Sequence, residues 1–376
     1  MLPLLLAVSH AHTGGPPPAV ARVFPLHNYP LARCLDGSVA AYYYAPGSER
    51  TKWLIFHEGG GFCTDIADCA KRAQSYLGTT TNDASTKKLS EPYFSLDAEA
   101  NPLLHNYSKV FVRYCDGAYY SGGRREPLSF NGSSIFFSGS WITEAVITDL
   151  STRHGLGDAT DVVLSGCSAG AIRIFAHVDQ LASRVRAVAS GARVVGFADS
   201  GFYMDLDIFT PLKRFVVEPA GQNATALLAP SCKARHAGQE EKCLIASVVA
   251  ASIQTPIFSW QSEYDHDQRG CEMTPQCAAE ASCVNAYGRN LSSTLIAQLL
   301  GLGNQANGAF LDSCTRHCTG GGPHWGAGTV GLHIDGQSPL QAFAVWHRHY
   351  SAGADSAGVS FGQKGQQRRL WQLDHV

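Results

Sequence analysis

Asp161-Val162-Val163-Leu164-Ser165-Gly166-Cys167-Ser168-Ala169-Gly170-Ala171 starts as a short apolar run and breaks at Gly166. It continues as Ile172-Arg173-Ile174-Phe175-Ala176-His177-Val178, a helical pattern. A strand, a tight turn carrying G-x-S-x-G and then a helix is the layout of a nucleophile elbow, in which the turn strains its central residue and lifts the serine hydroxyl clear of a sheet. Ser168 is the expected nucleophile, with the backbone N–H of Ala169 beside it. Gly166 and Gly170 leave room where strand and helix crowd together.

The motif alone is short, so its neighbours matter. Upstream, Trp53-Leu54-Ile55-Phe56 reads as a central strand and leads into His57-Glu58-Gly59-Gly60-Gly61-Phe62-Cys63. The α/β-hydrolase fold draws one oxyanion-hole N–H from the residue after the nucleophile and another from a loop of this kind after an early strand. Gly60 and Gly61 are the candidates, with Ala169. Donors so placed are typically worth roughly 3 to 4 kcal/mol each to a transition state. A phosphate loop would need Gly-Lys-Ser/Thr at its end, and this loop ends in Phe-Cys.

In this fold the triad runs Ser, then Asp or Glu, then His. Thr255-Pro256-Ile257-Phe258-Ser259-Trp260-Gln261-Ser262-Glu263-Tyr264-Asp265 reads as a strand ending in a carboxylate, which puts Asp265 in the acid position with Glu263 and Asp267 as rivals. Asn307 to Cys314 reads as the last core strand. After it come His317, His324, His333, His347 and His349 as possible bases. His317 fits best, directly after the strand and between Cys314 and Cys318, which would clamp its loop; His324 is next. His347 and His349 fall on an expected terminal helix.

Several other elements are expected. Asp36 to Tyr44 reads as a turn and strand, and Lys109 to Tyr114 as a strand leading into an aromatic loop with Tyr119 and Tyr120. Ile142 to Thr152 reads as a helix, and both Arg186–Ser190 and Arg193–Phe197 as strands. Residues 220–241 read as an insertion or cap, Leu244 to Ile253 and Ser292 to Leu300 as helices, and Cys271 to Cys283 as a disulfide-tied loop.

With 376 residues, 45% of them apolar, the chain suits one large α/β domain. The expected limits are a leader and flexible segment over 1–33, a single domain over 34–350 and a tail over 351–376. Lys+Arg number 29 against 31 Asp+Glu, so no basic surplus points to nucleic acid. Twelve cysteines indicate disulfides and an oxidising compartment. Cys271, Cys277 and Cys283 are too widely spaced for usual zinc ligand pairs, and no H-E-x-x-H supports a metal site at His317 and His324. Sequons at Asn106, Asn131, Asn223 and Asn290 agree with secretion. The apolar start Met1–Ser9 lacks a positive n-region, and Gly14 to Pro18 reads as disordered. No run is long and apolar enough to span a membrane.

Glu58-Gly59-Gly60-Gly61-Phe62-Cys63, Arg113-Tyr114-Cys115-Asp116-Gly117, Gly166-Cys167-Ser168-Ala169-Gly170, Ala198-Asp199-Ser200-Gly201, Tyr264-Asp265 and Asp312-Ser313-Cys314 with His317-Cys318 occur in this order. Together they resemble the pectin acetylesterase family, which includes the Notum-type protein deacylases, from about Asp36 to Trp346. The resemblance implies an extracellular, cell-wall or matrix serine carboxylesterase with an α/β-hydrolase-like, mostly parallel sheet and disulfide-tied insertions. It implies Ser168 as nucleophile, Asp265 as orienting acid, His317 as base, and a hole from Gly60, Gly61 and Ala169. No metal or organic cofactor is implied. Tyr119, Tyr120 and Phe62 are expected at the substrate cleft. The chain departs at Ala171, where relatives often carry Gly, and at Phe62, where plant-like members carry Trp. The expectation is a monomer that removes acetyl groups from an acetylated polysaccharide such as pectin. The alternatives are a fatty-acyl protein deacylase and an inactive glycan-binding scaffold.

Overall fold

A computed structural model of the chain describes residues 18–318, 332–350 and 370–372. The strands are β1 (Ala19–Pro25), β2 (Ala41–Ala45), β3 (Glu49–His57), β4 (Thr86–Leu89), β5 (Tyr107–Val112), β6 (Leu128–Phe130), β7 (Ser133–Ile135), β8 (Asp161–Cys167), β9 (Arg193–Asp199), β10 (Ile257–Ser262), β11 (Gly308–Asp312) and β12 (Leu370–Gln372). Ten of them form one sheet in the order β12-β11-β10-β9-β8-β3-β5-β2-β1-β4, with β6 and β7 a separate hairpin. From β12 to β5 every pairing is parallel; β2, β1 and β4 continue the sheet antiparallel. A mostly parallel sheet must be covered on both faces. Here Val162 and Leu164 of β8 point into one apolar cluster while Val163 points into the other.

The helices are α1 (Ile66–Arg72), α2 (Gly139–His154), α3 (Ala169–Val188), α4 (Thr210–Val217), α5 (Pro230–Arg235), α6 (Ala246–Val249), α7 (His266–Glu272), α8 (Pro275–Ala278), α9 (Ala281–Leu295) and α10 (Pro339–Tyr350). α2 and α3 cover one face through Ile142, Ile172 and Ile174, and α10 covers the other through Phe343 and Trp346. The result is the α/β-hydrolase-like three-layer arrangement.

The structure corrects several local readings. Arg186–Ser190 is not a strand: α3 runs through to Val188, because Leu181, Ala182, Val185 and Ala189 keep a helical period against the core and override the local alternation. Residues 244–253 are not one helix but short turns around α6. The segment from Cys271 to Cys283 is helical rather than a loop; its disulfide joins Cys277 to Cys283 and leaves Cys271 free. The termini also differ from the expected limits. β1 lies within residues 1–33 and β12 within 351–376, and both pair into the main sheet, so Asn307–Cys314 does not contain its last strand. The expected leader over Met1–Ser9, and Gly14 to Pro17 of the Gly14–Pro18 stretch expected to be disordered, lie outside the described residues.

Candidate active site

β8 ends at Cys167, α3 opens at Ala169, and the single residue between them, Ser168, has φ 55° and ψ −123°. A non-glycine residue there costs of order 1–3 kcal/mol and persists only where the surroundings hold it. Two close approaches do so. A Cβ on Gly170 would lie 2.0 Å from the His57 carbonyl oxygen, and one on Gly166 would lie 2.4 Å from the Gly170 carbonyl carbon. The Ser168 N–H is spent on the Asp199 carbonyl at 3.0 Å. Ala169 is the first helical residue, so its N–H has no intrahelical acceptor.

The glycine loop follows β3 and passes over this turn: a Cβ on Gly59 would lie 2.5 Å from the Cys167 oxygen and 3.0 Å from Ser168 Cβ. Gly60 and Gly61 have φ +147° and +69°. The carbonyl of Gly60 accepts from Arg72 Nη2, and that of Gly61 accepts from the Tyr114 hydroxyl at 2.7 Å. Pinning the Gly60 oxygen fixes the peptide plane and turns the Gly61 N–H the opposite way. Glu58, at the loop's start, pairs with Arg113, which also holds Asp83 at 2.7 Å. Sequence reading places Arg113 in a motif after a strand but gives it no role, because its partners Glu58 and Asp83 lie 55 and 30 residues away.

Asp265 follows β10 and caps α7, its Oδ1 accepting from the N–H groups of Asp267 and Gln268 at 3.0 and 3.1 Å. Its two oxygens lie 2.8 and 2.7 Å from His317 Nδ1. Of the rival acids, Glu263 is buried elsewhere and accepts from Gln372 Nε2 at 3.2 Å. Asp267 is half-exposed and stands 3.3 Å from the other imidazole nitrogen, Nε2. Burial works against charge on His317, but the hydrogen bond and field of Asp265, then the fields of Asp267 and Asp199, outweigh it and hold the imidazole above its ordinary pKa. Charged His317 cannot accept a proton. Asp267→Asn removes one anion, lowers that pKa and keeps the backbone bond to Asp265. The acid limb of the kcat/KM profile for p-nitrophenyl acetate is therefore expected to move to lower pH; an unmoved limb would show that Asp267 has no hold on His317.

Of the other histidines, His347 Nε2 lies 3.2 Å from Asp161, at the far end of β8 from Ser168. His333 and His349 are exposed, and His324 lies outside the described residues.

The His317 loop is not clamped between Cys314 and Cys318. Cys314 is free, and Cys318 is bonded to Cys167, so a disulfide ties the residue before Ser168 to the residue after His317. Arg316, beside His317, donates to Asp199 and to Asp312 at 2.9 Å each, both carboxylates fully buried. The Cys318 N–H donates to Ser200 Oγ at 2.8 Å. Ser168, His317, Asp267 and Gly59 to Gly61 line one cavity of about 480 Å³. It lies at the carboxyl ends of the parallel strands, where open α/β sheets bind ligands.

The aromatic residues expected at the cleft lie elsewhere. Tyr120 is fully buried, its hydroxyl 3.0 and 3.1 Å from the carbonyls of Glu58 and Val112. Tyr119 is 3% exposed and packs edge-on against Phe62 at 5.6 Å. None of the three is among the residues lining the cavity. Both tyrosines have φ 57°, which folds their loop inward as a support beneath the glycine loop.

The chain is similar to known proteins over most of its length. The crystal structure of the Wnt deacylase Notum from Drosophila superposes with TM-score 0.73 at 26% identity, covering 89% of this chain and 94% of that one. Pectin acetylesterase 11 of Arabidopsis thaliana is 29% identical over 344 residues, 84% of each protein. Pectin acetylesterase 5 of the same plant is 31% identical over 310 residues, 76% of this chain and 70% of that protein. The palmitoleoyl-protein carboxylesterase NOTUM of Schmidtea mediterranea is 28% identical over 78% of this chain and 58% of its own length. The family model described as Pectinacetylesterase matches residues 24–356. This chain therefore belongs to the pectinacetylesterase family.

Proposed function

We propose that the protein is a secreted serine carboxylesterase that removes acetyl groups from an acetylated polysaccharide. The observation that carries the reading is one cavity lined by Ser168, His317 and the glycine loop, with Asp265 on the far nitrogen of His317. In this reading His317 Nε2 takes the Ser168 proton as Oγ attacks the ester carbonyl. The N–H groups of Gly60, Gly61 and Ala169 receive the oxyanion, and Asp265 holds Nδ1–H and balances the imidazolium. The alcohol leaves with the proton, and water attacks the acetyl-enzyme to release acetate.

The cavity wall favours a short acyl group. Phe56, Tyr93 and Phe111 back it but are almost wholly buried, and Lys87, Lys88, Glu91 and Asp267 share it. A fatty chain laid there would desolvate those charges without pairing them. The five disulfides support an oxidising compartment. Asn131, Asn223 and Asn290 are exposed and open to glycosylation, whereas Asn106 is partly buried. A series of p-nitrophenyl esters from acetate to palmitate tests the reading. Highest kcat/KM on acetate, with acetate released from acetylated pectin, is expected. Highest activity on octanoate or longer would favour the protein deacylase that the Notum relatives suggest.

A further inference from the structure

Tyr76 is the one aromatic among the exposed large hydrophobic side chains of the described residues, at 68% exposure, and it lines the cavity that holds Ser168 and His317. A tyrosine ring left in water beside a reaction centre is a surface waiting for a partner, because its faces are apolar and its rim can hydrogen-bond. Its backbone is fixed to the catalytic loop. The Tyr76 carbonyl accepts from Arg113 Nη2 at 2.8 Å, and the same guanidinium pairs with Glu58 at the start of the glycine loop. The next residue, Leu77, packs so closely on Gly60 that a Cβ there would lie 2.6 Å from Leu77 Cδ2.

Two cations share this cavity. Lys87 lies with its ammonium 4.7 Å from the centre of the Phe111 ring, and Lys88 is exposed; neither is among the ion pairs of the described residues. Of the two carboxylates lining the cavity beside Glu58, Asp267 faces His317, which leaves Glu91, coupled to Lys87, as one acid against two lysines. Neither cancels both lysines.

The geometry points to a sugar subsite formed by Tyr76, Lys87 and Lys88 that holds a uronic-acid residue of the polysaccharide, its ring on Tyr76 and its carboxylate at the lysines. This inference rests on the polysaccharide reading above and assigns it residues. Stacking a pyranose on a ring that is coupled through Arg113 to the glycine loop places the chain relative to the oxyanion hole. A free aryl acetate has no second sugar and cannot use the subsite.

The test compares Tyr76→Ala, Tyr76→Phe and Lys87→Gln/Lys88→Gln with the wild type on acetylated polygalacturonate and p-nitrophenyl acetate. Tyr76→Ala is expected to lose at least tenfold more kcat/KM on the polymer than on the aryl ester, through KM, and Tyr76→Phe to recover most of it. Wild-type KM for the polymer should rise with salt as the charges are screened, and the double lysine variant should flatten that rise. Equal effects of Tyr76→Ala on both substrates, or a salt response that survives loss of both lysines, would overturn the subsite while leaving the esterase reading intact. A wild type that cleaves the aryl ester but releases no acetate from any acetylated polysaccharide would remove the polysaccharide reading, and the subsite with it.

Discussion

Ser168→Gly is expected to melt at a higher temperature than Ser168→Ala while both variants lose ester hydrolysis. The hydroxyl supplies the attacking oxygen, and in serine hydrolases of known mechanism its removal costs about four to six orders of magnitude in kcat. The two variants part on stability. Ser168 sits at φ 55° and ψ −123°, where any Cβ is strained. Alanine keeps that strain and glycine releases it, a difference of about 1–3 kcal/mol, less the roughly 0.5–1 kcal/mol that glycine costs through its freer unfolded chain. The margin reads as a few degrees in thermal unfolding. Glycine melting at or below alanine would mean that the elbow is not strained at Ser168. Full activity in either variant would remove the serine from the chemistry.

Cys167→Ala/Cys318→Ala is expected to lower both stability and kcat, whereas Cys232→Ala/Cys243→Ala lowers stability alone. The first disulfide spans 151 residues and the second 11. Loop-closure entropy sets upper bounds of about 5 and 3 kcal/mol for them. Only the first joins the residue before Ser168 to the residue after His317. Without it, His317 still keeps Asp265 at Nδ1, and Arg316 still holds Asp199 and Asp312. The loop nevertheless loses its covalent link to the nucleophile. A misplacement of about 1 Å in a reacting pair can cost 10²-fold, so a fall of about 10- to 100-fold in kcat on p-nitrophenyl acetate is expected below the melting transition. Equal kcat in the two double variants would show that hydrogen bonding alone positions the base.

Much of the site was legible because the fold places its working residues directly after strands, where local pattern is strongest. The apolar run into Gly166-Cys167-Ser168 announces β8 and the elbow, and the glycine run after Phe56 announces the loop that passes over it. Their order and their place after strands put Asp265 and His317 ahead of their rivals, and the structure sets them 2.7 Å apart. Local pattern failed where partners are distant. Tyr119 and Tyr120 looked like cleft residues because aromatics in a loop at the sheet edge suit a ligand; two positive φ angles turned them inward instead. The same blindness hid β1, seven residues paired between β2 and β4, and β12, three residues paired to β11.

The sequence by itself therefore determined the central strands β3, β5, β8, β9, β10 and β11, the strained serine turn, the glycine loop and the supply of one acid and one base after it, since each is written in a few adjacent residues. Tertiary structure alone decided which cysteine meets Cys167, that Asp267 stands at the second nitrogen of His317, that Arg113 ties Tyr76 to the glycine loop, and which aromatics face solvent. These are contacts between segments tens to hundreds of residues apart, set by how the layers pack, and no local periodicity carries them.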